Sequence, residues 1–167
     1  MTSPFSADPR SAKLKTSFLN LSEASRELNA ASDTFGAAIT SLDEAINELN
    51  PGVTAWVNVS DSADEDAPWV SSVERLGYDK MKGRWGLTLW AGTVDSEEDS
   101  ETPTGSWLFN DAPRSLRLRA IEHIPELVEA LANEASHTAK RVSEQAHYAL
   151  KLAESIRVIA KDKGARR

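Results

Sequence analysis

The chain contains no cysteine and no long apolar run, and each absence narrows its function. Without cysteine there is no disulfide, no thiol nucleophile and no zinc–thiolate site. No segment approaches the run of about 18 apolar residues that a membrane span requires. The N-terminus MTSPFSADPR also lacks the apolar centre of a signal peptide. We therefore expect a cytoplasmic protein that does not associate with membranes.

The common catalytic and nucleotide-binding motifs are also missing. There is no Gly-rich phosphate-binding pattern and no serine in a Gly-x-Ser-x-Gly turn. The formal net charge of −7 disfavours nucleic-acid binding, because phosphates would be repelled. We expect a protein that is not an enzyme, needs no cofactor and binds no nucleic acid.

Alanine recurs at every seventh residue in two separate stretches. In the first stretch the alanines alternate with larger residues that are also spaced by seven. Steps of three and four place both sets on one seam of a helix, where small side chains let a second helix approach closely. The alanines are Ala24, Ala31, Ala38 and Ala45, between Leu14, Leu21, Leu28, Phe35, Leu42 and Leu49; the second set is Ala132, Ala139, Ala146, Ala153 and Ala160.

Two long helices are predicted around these seams. Asp8-Pro9 supplies an N-cap and a first-turn proline, and Asn50-Pro51-Gly52 ends the first helix, which gives residues 8–50. The second helix covers residues 125–163, from Pro125 to the residue before Gly164. Residues 1–7 form a loose tail, and residues 164–167 form a basic one.

Residues 53–110 alternate as β-strands do and contain all five tryptophans. We predict four strands with acidic loops at 61–68 and 95–105, arranged as an antiparallel meander. The predicted strands are VTAWVNV (53–59), WVSSVERLGYDKM (69–81), RWGLTLWAGTV (84–94) and SWLFN (106–110). Residues 113–124 are predicted as a short helix, with a fifth strand as the alternative.

The resulting fold class is α+β. Two long antiparallel helices form a coiled-coil hairpin that flanks the four-stranded antiparallel meander, with the short helix before the last long one. Phe18, Ile39 and Ile46 form a second apolar stripe beside the first seam. A homodimer that forms a four-helix bundle would cover this stripe.

Besides this stripe, two further groups of residues are candidates for an interaction surface. Trp85 shares a strand face with Leu87, as Trp107 does with Phe109, so these two indoles are expected in the core. Trp56 and Trp90 share their faces with polar or small residues and are the candidates for a binding face. The basic cluster of Arg114, Arg117 and Arg119 could receive an anion or an acidic partner, or it could balance the acidic loops.

The doubled Glu-x-x-His pattern is the strongest argument for a metal enzyme. Glu134 with His137, and Glu144 with His147, have the ligand spacing of di-iron bundles. Counting from the seam alanines places them on outer positions of a single helix, so we predict a solvated face without metal.

The leading hypothesis is a non-enzymatic interaction or scaffold module that oligomerises through its long helices and contacts a protein partner. The alternative is a small-ligand or anion sensor in which the Trp-bearing sheet and the Arg114–Arg119 cluster surround a pocket. A metal-dependent helical-bundle enzyme is a third hypothesis.

Overall fold

The fold is α+β, with one four-stranded antiparallel sheet between two long helices in the chain order. The computed structural model describes the backbone of residues 9–164 and the side chains of residues 10–158. The predicted tail 1–7 and residues 165–167 of the basic tail lie outside them. The elements are α1 (Pro9–Leu49), β1 (Ala55–Ala63), β2 (Val70–Met81), β3 (Arg84–Asp95), β4 (Ser100–Leu108), α2 (Arg114–Ala120) and α3 (Ile124–Gly164).

Both ends of α1 follow from local sequence. Pro9 occupies the first helical position, where its missing N–H costs no hydrogen bond. At the other end Asn50 adopts a φ of +46° and its N–H donates to the carbonyl of Asn47 at 3.0 Å. The left-handed residue and the proline that follows stop the helix.

The sheet has the sequential order β1-β2-β3-β4, which confirms the predicted antiparallel sheet. Leu76 pairs with Leu89, and Tyr78 with Leu87, and all four side chains are buried. They lie on the face where α2 and the start of α3 pack, which we call the core face. The segments after the sheet complete this core with Phe109, Leu116, Ala120, Leu127 and Leu131.

The strands are longer than their apolar patterns indicate. The segments 61–68 and 95–105 were expected to be loops, but β1 continues to Ala63 and β4 begins at Ser100. Cross-strand pairing supplies the reason, because Ala63 pairs with Ser71 and Ser100 with Asp95 in regular register. Backbone hydrogen bonds extend the hairpins although the side chains there are polar.

Residues 114–124 are helical, so the alternative of a fifth strand is wrong. The short helix α2 continues through a 3-10 turn, Ile121–His123, into α3, which begins one residue before Pro125. The predicted separate short helix is therefore joined to the last long helix rather than set apart from it.

The predicted coiled-coil hairpin is wrong. The described residues form two compact units, one up to Leu42 and one from Asp43 onward. Side chains that the hairpin should bury are exposed on both helices: Leu14 of the first seam is 71% exposed, and Val142, three residues after the seam residue Ala139 on α3, is 62% exposed. These described seam positions are therefore open to solvent in the single chain.

Charge gives a physical reason against that hairpin. In an antiparallel pair, the basic segment 10–15 of α1 would lie beside the net basic segment 157–163 of α3. At the other end, the acidic segment 43–48 would lie beside 126–129, which carries two glutamates. Like charges would face each other at both ends, and such contacts are unfavourable. The alanine repeats alone did not reveal this.

Candidate functional site

The first candidate surface is the seam of α1, which stays exposed along the helix. Leu21 is 63% exposed, Leu28 50% and Leu49 81%. The four alanines between the larger residues are exposed as well, and Phe35 alone is half-buried. We call this surface the α1 seam: Leu14, Leu21, Leu28, Phe35, Leu42 and Leu49 with Ala24, Ala31, Ala38 and Ala45. It spans most of the 41-residue helix.

The predicted second stripe of α1 divides in the structure. Phe18 is 68% exposed, whereas Ile39 is 2% exposed and Ile46 is half-buried. Ile39 therefore offers no surface for a partner, and only Phe18 of the three is freely exposed. In the later turns of the helix the exposed large apolar side chains belong to the α1 seam, namely Leu42 and Leu49.

The last turns of α1 are tied to the core face of the sheet by polar groups. Asp43 accepts a hydrogen bond from the Leu87 N–H at 2.7 Å, and its carboxylate lies 3.8 Å from the Arg84 guanidinium. The Tyr78 hydroxyl donates to the Asn47 amide oxygen at 2.7 Å. Burial raises the pKa of Tyr78, and the charge of Asp43 adds to this effect. These contacts use Asp43 and Asn47, neither of which is a seam residue.

The charges of α1 are separated along its length. Every Lys and Arg of the helix lies between Arg10 and Arg26. The half from residue 29 onward carries four carboxylates and no basic residue: Asp33, Asp43, Glu44 and Glu48. The helix therefore has a basic N-terminal end and an acidic C-terminal end.

The second candidate surface lies on the sheet face opposite the core face. The register places Trp56, Arg75 and Trp90 on this face, with Glu101 on β4 beside them. The Arg75 guanidinium carbon lies 5.0 Å from the Trp90 ring centre, and Arg75 Nη1 lies 2.8 Å from Glu101 Oε1. The four residues, which we call the tryptophan face, line a cleft of about 180 Å³.

Glycines allow both indoles to lie against the sheet. A Cβ at Gly77 would collide with the Trp56 ring, and a Cβ at Gly92 would lie 2.6 Å from Trp90 Cη2. Alternation along the strands identified Trp56 and Trp90 as neighbours of small or polar residues. It did not identify Arg75 and Glu101, because their proximity depends on cross-strand register.

The other tryptophans follow the alternation of their strands. Trp85 and Trp107 lie on the core face, both half-buried, and Trp85 stacks on Tyr78 with ring centres 5.5 Å apart. Trp69 precedes β2 and is 43% exposed.

The arginine cluster of α2 does not form one anion site. Arg119 is engaged by Glu74 of β2, donating from Nε to Oε2 at 3.0 Å, and the Ser60 hydroxyl donates to the same oxygen at 2.9 Å. The Arg119 guanidinium lowers the pKa of the Glu74 carboxyl, although partial burial opposes the shift. In return, Glu74 raises the pKa of Arg119. This pair links α2 to the core face.

Arg114 and Arg117 are placed differently. Arg114 is exposed, whereas Arg117 has a buried Nε without a hydrogen-bond partner in the described part of the chain. Because Arg119 binds Glu74 on the core face, it cannot share a pocket with Trp56 and Trp90 on the other face. The structure therefore does not assemble the pocket of the predicted sensor.

The Glu-x-x-His residues of α3 are all exposed. No group of three or more His, Asp or Glu with metal-binding geometry occurs among the residues that the structure describes. No helix within those residues is long and apolar enough to cross a membrane.

Comparison with protein-family models, with curated proteins and with solved structures gives no match. The features of the described chain that bear on its function are its two surfaces, the α1 seam and the tryptophan face.

Proposed function

We propose that this protein is a non-enzymatic interaction module that self-associates through the α1 seam and so acts as a scaffold. The observation that carries the proposal is the exposure of a seven-residue apolar repeat over most of a 41-residue helix. In proteins, most of the stability of a helix comes from packing its apolar face rather than from intrinsic helix propensity. A second copy of the chain is the partner that is always present with this surface.

The amount of apolar surface supports this partner. Monomeric proteins rarely expose a continuous apolar patch of more than a few hundred Å². The α1 seam contributes five leucines that are 38–81% exposed, arranged in one line. Burial of apolar surface contributes about 25 cal/mol per Å², so a paired seam is a substantial source of association energy.

Light scattering with a matched pair of variants tests self-association. Leu21 lies on the seam and Leu19 lies off it, and the two are 63% and 59% exposed. We expect the wild type and Leu19→Asp to scatter as dimers, with twice the 18.2 kDa of one chain. Leu21→Asp should scatter as a monomer. A monomeric wild type, or equal masses for both variants, would refute the proposal.

A second candidate function concerns the tryptophan face, which we propose binds a cationic side chain of a protein partner. Arg75 shows how this face holds a guanidinium, between the Trp90 ring and the Glu101 carboxylate. Trp56 is 37% exposed and borders the same cleft. Cations are attracted to indole faces by about 0.5–1 kcal/mol at exposed sites, and the net charge of −7 favours a basic partner.

An arginine-rich peptide tests this second function, with the same peptide carrying citrulline as the neutral control. We expect the cationic peptide to change the tryptophan fluorescence at concentrations where the neutral one does not. The change should be lost in Trp56→Ala and kept in Trp69→Ala, which removes an indole of similar exposure. Equal responses to both peptides would rule out recognition of charge.

A further inference from the structure

The α1 seam has two kinds of position, and they alternate. Large residues occupy one position of each seven-residue repeat and alanines occupy the other. If two α1 helices ran parallel, each position would meet its own copy, so leucine layers would alternate with alanine layers. The helices would then have to be far apart and close together in turn. Two antiparallel helices instead place each large residue opposite an alanine, with one close spacing throughout.

One register satisfies this pairing between Leu14 and Ala45. It places Leu14 opposite Ala45, Leu21 opposite Ala38 and Leu28 opposite Ala31, and two-fold symmetry repeats each layer. Phe35 then meets Ala24. Each bulky side chain meets a small one, which is the complementarity that close helix packing requires.

The separated charges of α1 favour the same direction. In the antiparallel pair, the basic end of each helix lies beside the acidic end of the other. Lys13 directly precedes Leu14 and Glu48 directly precedes Leu49, so the two lie on the same flank of the seam and face each other within about one turn. Both side chains are exposed. A parallel pair would instead bring the basic ends together and the acidic ends together.

We infer that α1 pairs with α1 of a second copy in the antiparallel direction, so that the large seam residues from Leu14 to Phe35 pack against seam alanines and Leu42 packs against Ser17. This inference rests on the proposed self-association and adds its orientation and register. The resulting interface is symmetric: the same helix contributes the same surface from both copies, so it closes as a dimer.

Cross-linking tests the direction, because the chain has no cysteine of its own. Leu14→Cys and Ala45→Cys are purified separately and as mixed dimers after co-expression, and each sample is treated with a short bismaleimide. Positions 14 and 45 are about 46 Å apart along one helix, at about 1.5 Å per residue, far beyond the reach of the reagent. Leu19→Cys, off the seam, is the control, and circular dichroism verifies the helix content of each variant.

We expect a cross-linked dimer in the mixed sample and in neither single variant. A dimer from Leu14→Cys alone would show a parallel pair and overturn the inference. If no sample cross-links although light scattering gives a dimeric mass, the antiparallel register is wrong, whereas the proposed self-association is upheld. A monomeric wild type would instead refute the proposed function itself.

Discussion

The carboxylate of Asp43, two turns before the end of α1, accepts a hydrogen bond of 2.7 Å from the backbone N–H of Leu87 in β3. Leu87 lies one residue before the first pair of β3 with β4, so this N–H has no partner in that ladder. Asp43 thus satisfies a strand group that the sheet leaves open and fixes the last turns of α1 to β3. The carboxylate is largely buried, with 16% of its side chain exposed.

Removal of this carboxylate should destabilise the fold. Asp43→Ala leaves the Leu87 N–H without its partner, and an unsatisfied buried donor costs about 1–3 kcal/mol. Urea denaturation should show a loss in that range, whereas Glu44→Ala, an exposed neighbour, should change stability by less than about 0.5 kcal/mol. Equal losses for the two variants would mean that the hydrogen bond does not anchor the helix.

Gly77→Ala should destabilise the sheet because the added Cβ would collide with the Trp56 ring. Overpacking of this kind costs about 1–3 kcal/mol. The double variant Trp56→Ala/Gly77→Ala provides the control: once the indole is gone, the Gly77→Ala step should cost much less. If the cost is the same in both backgrounds, contact with Trp56 is not its cause.

Stability should depend on pH through Glu74. Its pKa is lowered in the folded protein from the usual 4.5, chiefly by the hydrogen bond from Arg119. The contribution is therefore fully present above about pH 4.5 and is lost as the pH falls through the lower folded value. Glu74→Gln should be less stable than wild type at pH 7, by up to about 1 kcal/mol.

Denaturation at pH 7 and at pH 3 measures this difference. The gap between wild type and Glu74→Gln should be narrower at the lower pH, because pH 3 lies below the ordinary pKa of 4.5 and the advantage of the lowered folded pKa shrinks as the pH falls below that value. Glu65→Gln, an exposed loop variant, should follow the wild type at both values. A gap that is constant with pH would show that the charge of Glu74 contributes nothing.

Reversing the charge of Lys13 should weaken the dimer, and reversing the charge of Glu48 as well should restore it. Lys13→Glu replaces an attraction with a repulsion at both symmetric contacts with Glu48, which should raise the dissociation constant by about tenfold, or about 1.4 kcal/mol. Lys15→Glu changes the net charge equally from an off-seam position and should have a smaller effect. Lys13→Glu/Glu48→Lys should return the constant to near wild type. Failure of this rescue would argue against the proposed register.

The elements of this fold follow from sequence signals that act locally. A first-turn proline and the Asn50-Pro51-Gly52 stop delimit α1, and alternation with turn residues reveals the four strands. The predicted hairpin was wrong because a seam pattern shows that a helix has a surface suited to packing. It does not show which other surface packs against it. The charge distribution along both helices was in the sequence and argues against that pairing.

The surfaces were predictable only in part. Trp56 and Trp90 could be assigned to one sheet face by alternation, yet Arg75 and Glu101 join them through register and through a shift between Ala91 and Gly92. The sequence left Arg119 open to an anion, to an acidic partner or to the acidic loops. Its partner Glu74 lies 45 residues away, and folding brings the two together.

Hydrogen exchange measured as a function of protein concentration tests the central claim, that the α1 seam is buried by self-association. The backbone hydrogen bonds of a helix whose seam has no partner open readily, so its amide hydrogens exchange fast. Packing of the seam slows this exchange. We predict that amides between Leu14 and Ala31 become more protected as concentration rises, while those of the buried pair Leu76 and Leu89 do not change. Protection of α1 that is independent of concentration would contradict the account.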